Sequence, residues 1–242
     1  MKTPIGAWIW LSAGLFVVLV SVGACVLVHR RRPTSLADYL LGSGAWVVGV
    51  ALKVLAAVAV FGALRRMLGN ELPWFLVVPV TGLLTGIFEC GTSALVVRLS
   101  PLRRGGWNSA LAFGTSFGAV EGVVLAVPFA LAGAAAITAL GYLEPTDAKA
   151  LVDEVSDVVR PLTFALERLA ALAVHVFAGA LVVQSVSKRR PGLFWWSFLL
   201  KSAVDALPEE GIPQPVLEGA YVAFGVVSVL GLRKLRAGFD VA

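Results

Sequence analysis

Long apolar stretches separated by short polar clusters fill the 242-residue chain. They predict helices at about 5–28, 45–64, 73–97, 107–140, 160–186, 192–207 and 213–232, since about 20 apolar residues cross the hydrocarbon core of a bilayer. The expected fold class is therefore all-α: a polytopic transmembrane helix bundle of about seven helices, forming a single membrane domain over 1–242. Two stretches are irregular. The fourth is too long for a straight crossing and contains Pro128, which predicts a kink or an extension beyond the bilayer. The sixth, from Leu193 to Leu207, rises only about 22 Å as a helix, so either the bilayer thins around it, with Trp195 and Trp196 anchoring one end, or the segment is re-entrant. Re-entry would reverse the side on which the last basic cluster lies. No internal repeat of the kind many transporters show is visible.

Charge sharpens this picture. Residues are 58% hydrophobic and 14% charged, against roughly a quarter charged in a soluble domain, so lipid is the main solvent. The net charge of +5 would point to nucleic acid if the bases formed a stripe interleaved with aromatics. They instead close apolar runs, and no nucleic-acid partner is expected. His29-Arg30-Arg31-Arg32, then Arg98, Arg103 and Arg104, then Lys188-Arg189-Arg190, then Arg233, Lys234 and Arg236 follow the first, third, fifth and seventh runs. By the positive-inside rule these ends are cytoplasmic, the amino terminus is outside and the carboxyl terminus is inside, as in a multi-pass protein of a prokaryotic cytoplasmic membrane. The stretch Glu144–Asp157, with five carboxylates and one lysine, and Glu209-Glu210 mark the opposite side. Arg65 and Arg66 go against the pattern. Cys25 and Cys90 lie inside apolar runs and predict no disulfide. Val22-Gly23-Ala24-Cys25 faintly resembles a lipoprotein cleavage box, but the apolar run continues past the cysteine into a basic flank, as a membrane span does.

Ionisable residues inside the runs are the candidate chemistry: Lys53, Glu89, Glu121, Glu167 with Arg168, His175, Lys201 and Asp205. A charge at mid-bilayer costs roughly 2.5–3.5 kcal/mol even on the lenient insertion scale, which makes an interior functional site the default expectation. At 1.5 Å per residue Glu121, His175, Lys201 and Asp205 fall near the midplane, and Glu167 about 8–10 Å below the outer surface. Lys53 and Glu89 stand on other spans with no partner evident in the sequence, and are read equally as structural or snorkelling groups. Gly114, Gly118 and Gly122 make a small-residue face, and Glu121 lies about 20° from Gly114 around the axis, so it points into a helix interface. Structural readings stand beside the functional one. Lys201 and Asp205, at i and i+4, can pair, and Arg168 can reach Glu121 or a carbonyl as a latch.

Three segments carry a resemblance: Gly114-Thr-Ser-Phe-Gly-Ala-Val-Glu121-Gly, Glu167-Arg168-Leu-Ala-Ala-Leu-Ala-Val-His175 and Leu200-Lys201-Ser-Ala-Val-Asp205. Over about 107–207 the chain resembles the YhfC family of intramembrane proteases, itself similar to the clan of PrsW proteases and prenyl-protein (CAAX) endopeptidases. The resemblance implies a peptide hydrolase acting on membrane-anchored peptides or proteins. Glu121 would be the water-activating base, His175 the imidazole of the second motif, Glu167-Arg168 the family's Glu-Arg pair and Asp205 the last polar group. Phe117 and Lys201 stand where the family pattern often has histidine. Lysine can donate to an oxyanion but cannot replace a neutral imidazole as metal ligand or proton shuttle at its ordinary pKa. With His29 at the boundary, His175 is the one histidine inside the membrane, so no metal or other cofactor is expected. A catalytically silent scaffold of the same clan and a proton-coupled permease are the alternatives.

Overall fold

The computed structural model describes residues 5–138, 142–207 and 212–240. Its helices are α1 (Ile5–Arg31), α2 (Leu36–Leu68), α3 (Trp74–Leu99), α4 (Trp107–Thr138), α5 (Pro145–Ser156), α6 (Val159–Ser187), α7 (Pro191–Asp205) and α8 (Gln214–Asp240). The chain is all-α, and six of these helices, α1 to α4, α6 and α8, are long and apolar enough to cross a membrane. It is a multi-pass membrane protein. The expected sixth span is α7, whose 15 residues fall short of a full crossing on their own. Expected residues 139 and 140 of the fourth span, and Glu209-Glu210, lie outside the described residues.

Local sequence sets the ends. The Ser35 hydroxyl accepts from the Ala37 amide at 3.1 Å and starts α2 nine residues before the apolar run that predicted it. Helix α4 runs through Pro128 as one 32-residue helix, about 48 Å long, and so exceeds the hydrocarbon core. The acidic stretch after it is itself helical. Pro145 opens α5 at a position where its missing N–H costs nothing, and Ala148, Leu151, Val152 and Val155 line one face. Val155 is fully buried with Ala7, Trp10 and Ala136, and the Trp10 indole donates to the Asp157 carbonyl at 2.7 Å.

Helix α6 lies at the centre, with α4, α7 and α8 packed on it. Lipid tails offer no hydrophobic gain for joining helices, so close backbone approach has to supply the packing. A Cβ on Gly118 would lie 2.8 Å from the His175 Cβ, and one on Gly114 2.7 Å from the Val176 carbonyl oxygen, so the α4 face predicted from its glycines is where α6 docks. Gly122 turns instead to Ser21 of α1. On α3, Gly82 and Gly86 admit Ser202 and Phe198 of α7. Trp46, Val97, Leu102, Phe113, Phe117 and Val183 form the main buried apolar cluster below this centre.

Candidate functional site

Helix α3 is interrupted by a π-helical turn over Gly86–Cys90. Such a turn widens the helix by one residue and rotates the side chains it carries, and it recurs at functional sites. Here it carries Glu89, which is 2% exposed and lies beside Gly49 of α2. Lys53 of α2 meets Glu89 Oε1 at 2.5 Å, and Lys201 Nζ of α7 lies 2.6 Å from Glu89 Oε2.

Lys201 links Glu89 to the rest of the centre. Its Nζ is 2.9 Å from His175 Nδ1, and His175 Nε2 is 3.0 Å from Glu121 Oε2. A carboxylate can only accept, so Nε2 carries the imidazole proton and Nδ1 accepts from the ammonium. Glu121 also receives the Trp46 indole on Oε2 and Arg168 Nη1 on Oε1, both at 2.9 Å. Three of its roughly four acceptor positions are then filled, leaving one on Oε1. The Phe117 ring packs against the His175 ring at 5.1 Å and beneath Lys201 Nζ at 5.4 Å, so it forms an apolar floor with a cation–π contact. A cavity of about 10 Å³, room for one water, is bounded by Glu89, His175, Lys201, Phe117, Cys90 and Ser197.

The structure brings Glu121, Arg168, His175 and Lys201 together, with Glu89 added from α3. Glu167 stays at the rim, its Oε2 3.9 Å from Arg168 Nη2. Asp205 does not turn to Lys201. It accepts from Thr85 Oγ1 at 2.6 Å and lies 3.4 Å from Lys53 Nζ, because α7 packs on α3 and presents that side chain to α2 and α3. Sequence reasoning undervalued Lys53 and Glu89 and missed Trp46 and Thr85.

A buried carboxylate–imidazole–ammonium network inside a multi-pass bundle defines the class: a membrane protein with a charged polar cluster enclosed among its helices. The sequence profile of the YhfC intramembrane metalloprotease family matches residues 16–227, and the chain belongs to that family. Comparison with curated proteins and with solved structures gave no match.

The family's description implies a metal, and the donor set can be tested for one. Glu89, Glu121 and His175 offer ligand atoms within 4.8 Å of one another, and carboxylate with imidazole is a chemistry that zinc accepts. Positive groups nevertheless already stand against two of these residues, although Glu121 keeps one acceptor position and Glu89 Oε2, while facing Lys201, makes no hydrogen bond among the described residues. Both His175 nitrogens are taken, by Glu121 and Lys201, and both Glu89 oxygens face ammonium groups. The arrangement as it stands does not fit a divalent ion.

Proposed function

We propose that this chain hydrolyses a peptide bond of membrane-anchored substrates at the Glu121–His175–Lys201 centre. The observation that carries the reading is the convergence of those three groups and Glu89 from four helices, within hydrogen-bonding distance, at a depth where each charge is costly. Glu121 is the general base. Its free acceptor position takes a proton from water while the water oxygen bonds to the carbonyl carbon and the C=O π electrons move onto oxygen. Lys201, whose third N–H is not used by Glu89 or His175, donates to that oxyanion. Collapse breaks the C–N bond, and protonated Glu121 returns its proton to the leaving amine. His175 joins base and donor, while Arg168 and Trp46 position Glu121; Asp205, through Lys53 and Thr85, fixes α7 against α2 and α3.

The test separates a base from a latch, using purified protein in nanodiscs and a panel of membrane-anchored peptides. Glu121→Gln is expected to lower turnover at least about a hundredfold. Arg168→Gln breaks the same ion pair and is expected to lower the melting temperature at least as much, yet to keep turnover within about tenfold, since the base remains. Equal losses of turnover in the two variants would assign Glu121 to structure alone. A second reading, a silent scaffold of the same family, is favoured by the pairing of Glu89, Glu121 and Asp205 with Lys53, Lys201 and Arg168. A folded wild type that cleaves no peptide of the panel would select it.

A further inference from the structure

We infer that the Lys201 ammonium holds the place of a metal ion in this centre, so that the wild-type chain binds no divalent metal there and gains a zinc site when Lys201 is replaced by histidine. The inference concerns the cluster used under the hydrolytic reading but stands apart from it, because its readouts are metal content and melting.

Three observations carry it. The first is position. Lys201 Nζ lies 2.6 Å from Glu89 Oε2 and 2.9 Å from His175 Nδ1, so a positive charge already sits against two of the three donors that lie close enough to share an ion. The second is the state of the imidazole. A histidine binds metal through a nitrogen lone pair, and the only lone pair His175 retains, on Nδ1, points to the ammonium, while Nε2–H is spent on Glu121.

The third is charge. Glu89, Glu121 and Asp205 face Lys53, Lys201 and Arg168, three against three, and Glu167 at the rim adds a single negative charge. A divalent ion added to that set would leave net positive charge in a low-dielectric interior. Exchange of the ammonium for a neutral imidazole removes one positive charge, frees Nδ1 of His175 and supplies a second nitrogen donor. Two imidazoles with carboxylate are a familiar zinc set. Lys201 is also enclosed, 5% exposed between the Phe117 ring and Glu89, so solvent offers its ammonium no easy alternative.

The experiment uses the full chain in detergent, with zinc content measured by elemental analysis after incubation with zinc and desalting, alongside melting with zinc or with a chelator. Wild type is expected to retain well under about 0.1 zinc per chain and to melt within about 1 °C under both conditions. Lys201→His is expected to retain about one zinc per chain and to melt several degrees higher with zinc than with chelator. Lys201→His combined with His175→Ala should lose that zinc. Near-stoichiometric zinc on wild type, with a melting rise that a chelator reverses, overturns the inference whatever the variants do. A folded Lys201→His that takes up no zinc also overturns it, since the ammonium would then not be what closes the donor set. Should Lys201→His not fold, the wild-type zinc content and melting decide alone. None of these outcomes depends on cleavage, so a failure here and a failure of the hydrolytic reading are told apart.

Discussion

At the scale of single residues, the partner of Lys201 decides how the centre is held. A lysine four positions before an aspartate on one helix would ordinarily gain a few tenths of a kcal/mol by pairing with it. Here the lysine crosses instead to Glu89, which is almost fully buried but is also held by Lys53, so losing Lys201 removes one of two charged contacts and costs about 1.5–3 kcal/mol. Lys201→Met is therefore expected to lower unfolding free energy by roughly that amount, and Lys201→Met with Glu89→Gln to recover most of it. Chemical denaturation of the four proteins of this cycle measures the coupling. The parallel cycle with Asp205→Leu should show a much smaller coupling, and a larger one there would restore the local pair. Much of this centre is legible in the sequence: depth and motif point to Glu121, His175 and Lys201, the Glu-Arg motif adds Arg168, and the Arg168–Glu121 latch is one of the structural readings, whereas the same depth and motif also point to Asp205, which turns to Thr85 and Lys53. Lys53 and Glu89 were harder, though a signal existed. Lys53 stands 15 positions before Leu68 and Glu89 15 positions after Trp74, so the α2–α3 hairpin sets them at equal depth, roughly 22 Å from the turn. The π turn that finally aims Glu89 has no signature in the apolar pattern.

At the scale of elements, the catalytic reading rests on one helix contact, where α4 meets α6 through Gly118 and Gly114. The Cβ that Gly118 lacks would approach the His175 Cβ to 2.8 Å and Leu172 Cδ1 to 3.0 Å, so the spacing of the two helices is set by the absence of a side chain. Gly118→Val is expected to destabilise by about 2 kcal/mol or more, as overpacking does, and to part Glu121 from His175. A melting curve and the cleavage assay read the two effects together, and loss of cleavage with unchanged melting would be unexpected. Gly44→Ala, on a glycine with open space around its Cβ position, is the control and should melt with wild type. The sequence made the glycine face visible because four-residue spacing is a helix periodicity. It hid α5, since the carboxylates between Glu144 and Asp157 mask the i, i+3, i+7 spacing of Ala148, Leu151 and Val155. It also left α7 ambiguous, because length alone cannot separate a thin crossing from a re-entrant turn.

At the scale of the whole molecule, charge and packing together imply an orientation. The amino-terminal end of α1 and the acidic helix α5 share one end of the bundle, joined by Trp10, Val155 and the Asp157 carbonyl. Leu102 of the α3–α4 turn packs in one cluster with Val186 near the end of α6, Phe194 of α7 and Leu235 of α8, so three basic clusters gather at the other end. The fourth, at the end of α1, is tied there as His29 meets Tyr39 edge-on and Thr34 approaches Ser109 of α4. A bundle polarised in this way should lie with its basic end in the cytoplasm, because Lys and Arg near span ends set orientation while carboxylates contribute little. Helix α7 then has to carry the chain most of the way across, since α8 runs back beside α6 from Ala170, where Gly225 docks, to Phe177, where Gly231 docks. Single cysteines in a background lacking Cys25 and Cys90 test this. Ala148 is buried against the bundle and unsuitable for labelling, whereas Ala150, Arg104 and Ala237 are exposed. In intact cells an impermeant thiol reagent is expected to label Ala150→Cys and to spare Arg104→Cys and Ala237→Cys, which should label once the membrane is opened. Labelling of Ala237→Cys together with Ala150→Cys would make α7 re-entrant and put the carboxyl terminus outside. Labelling of Arg104→Cys with protection of Ala150→Cys would invert the whole bundle.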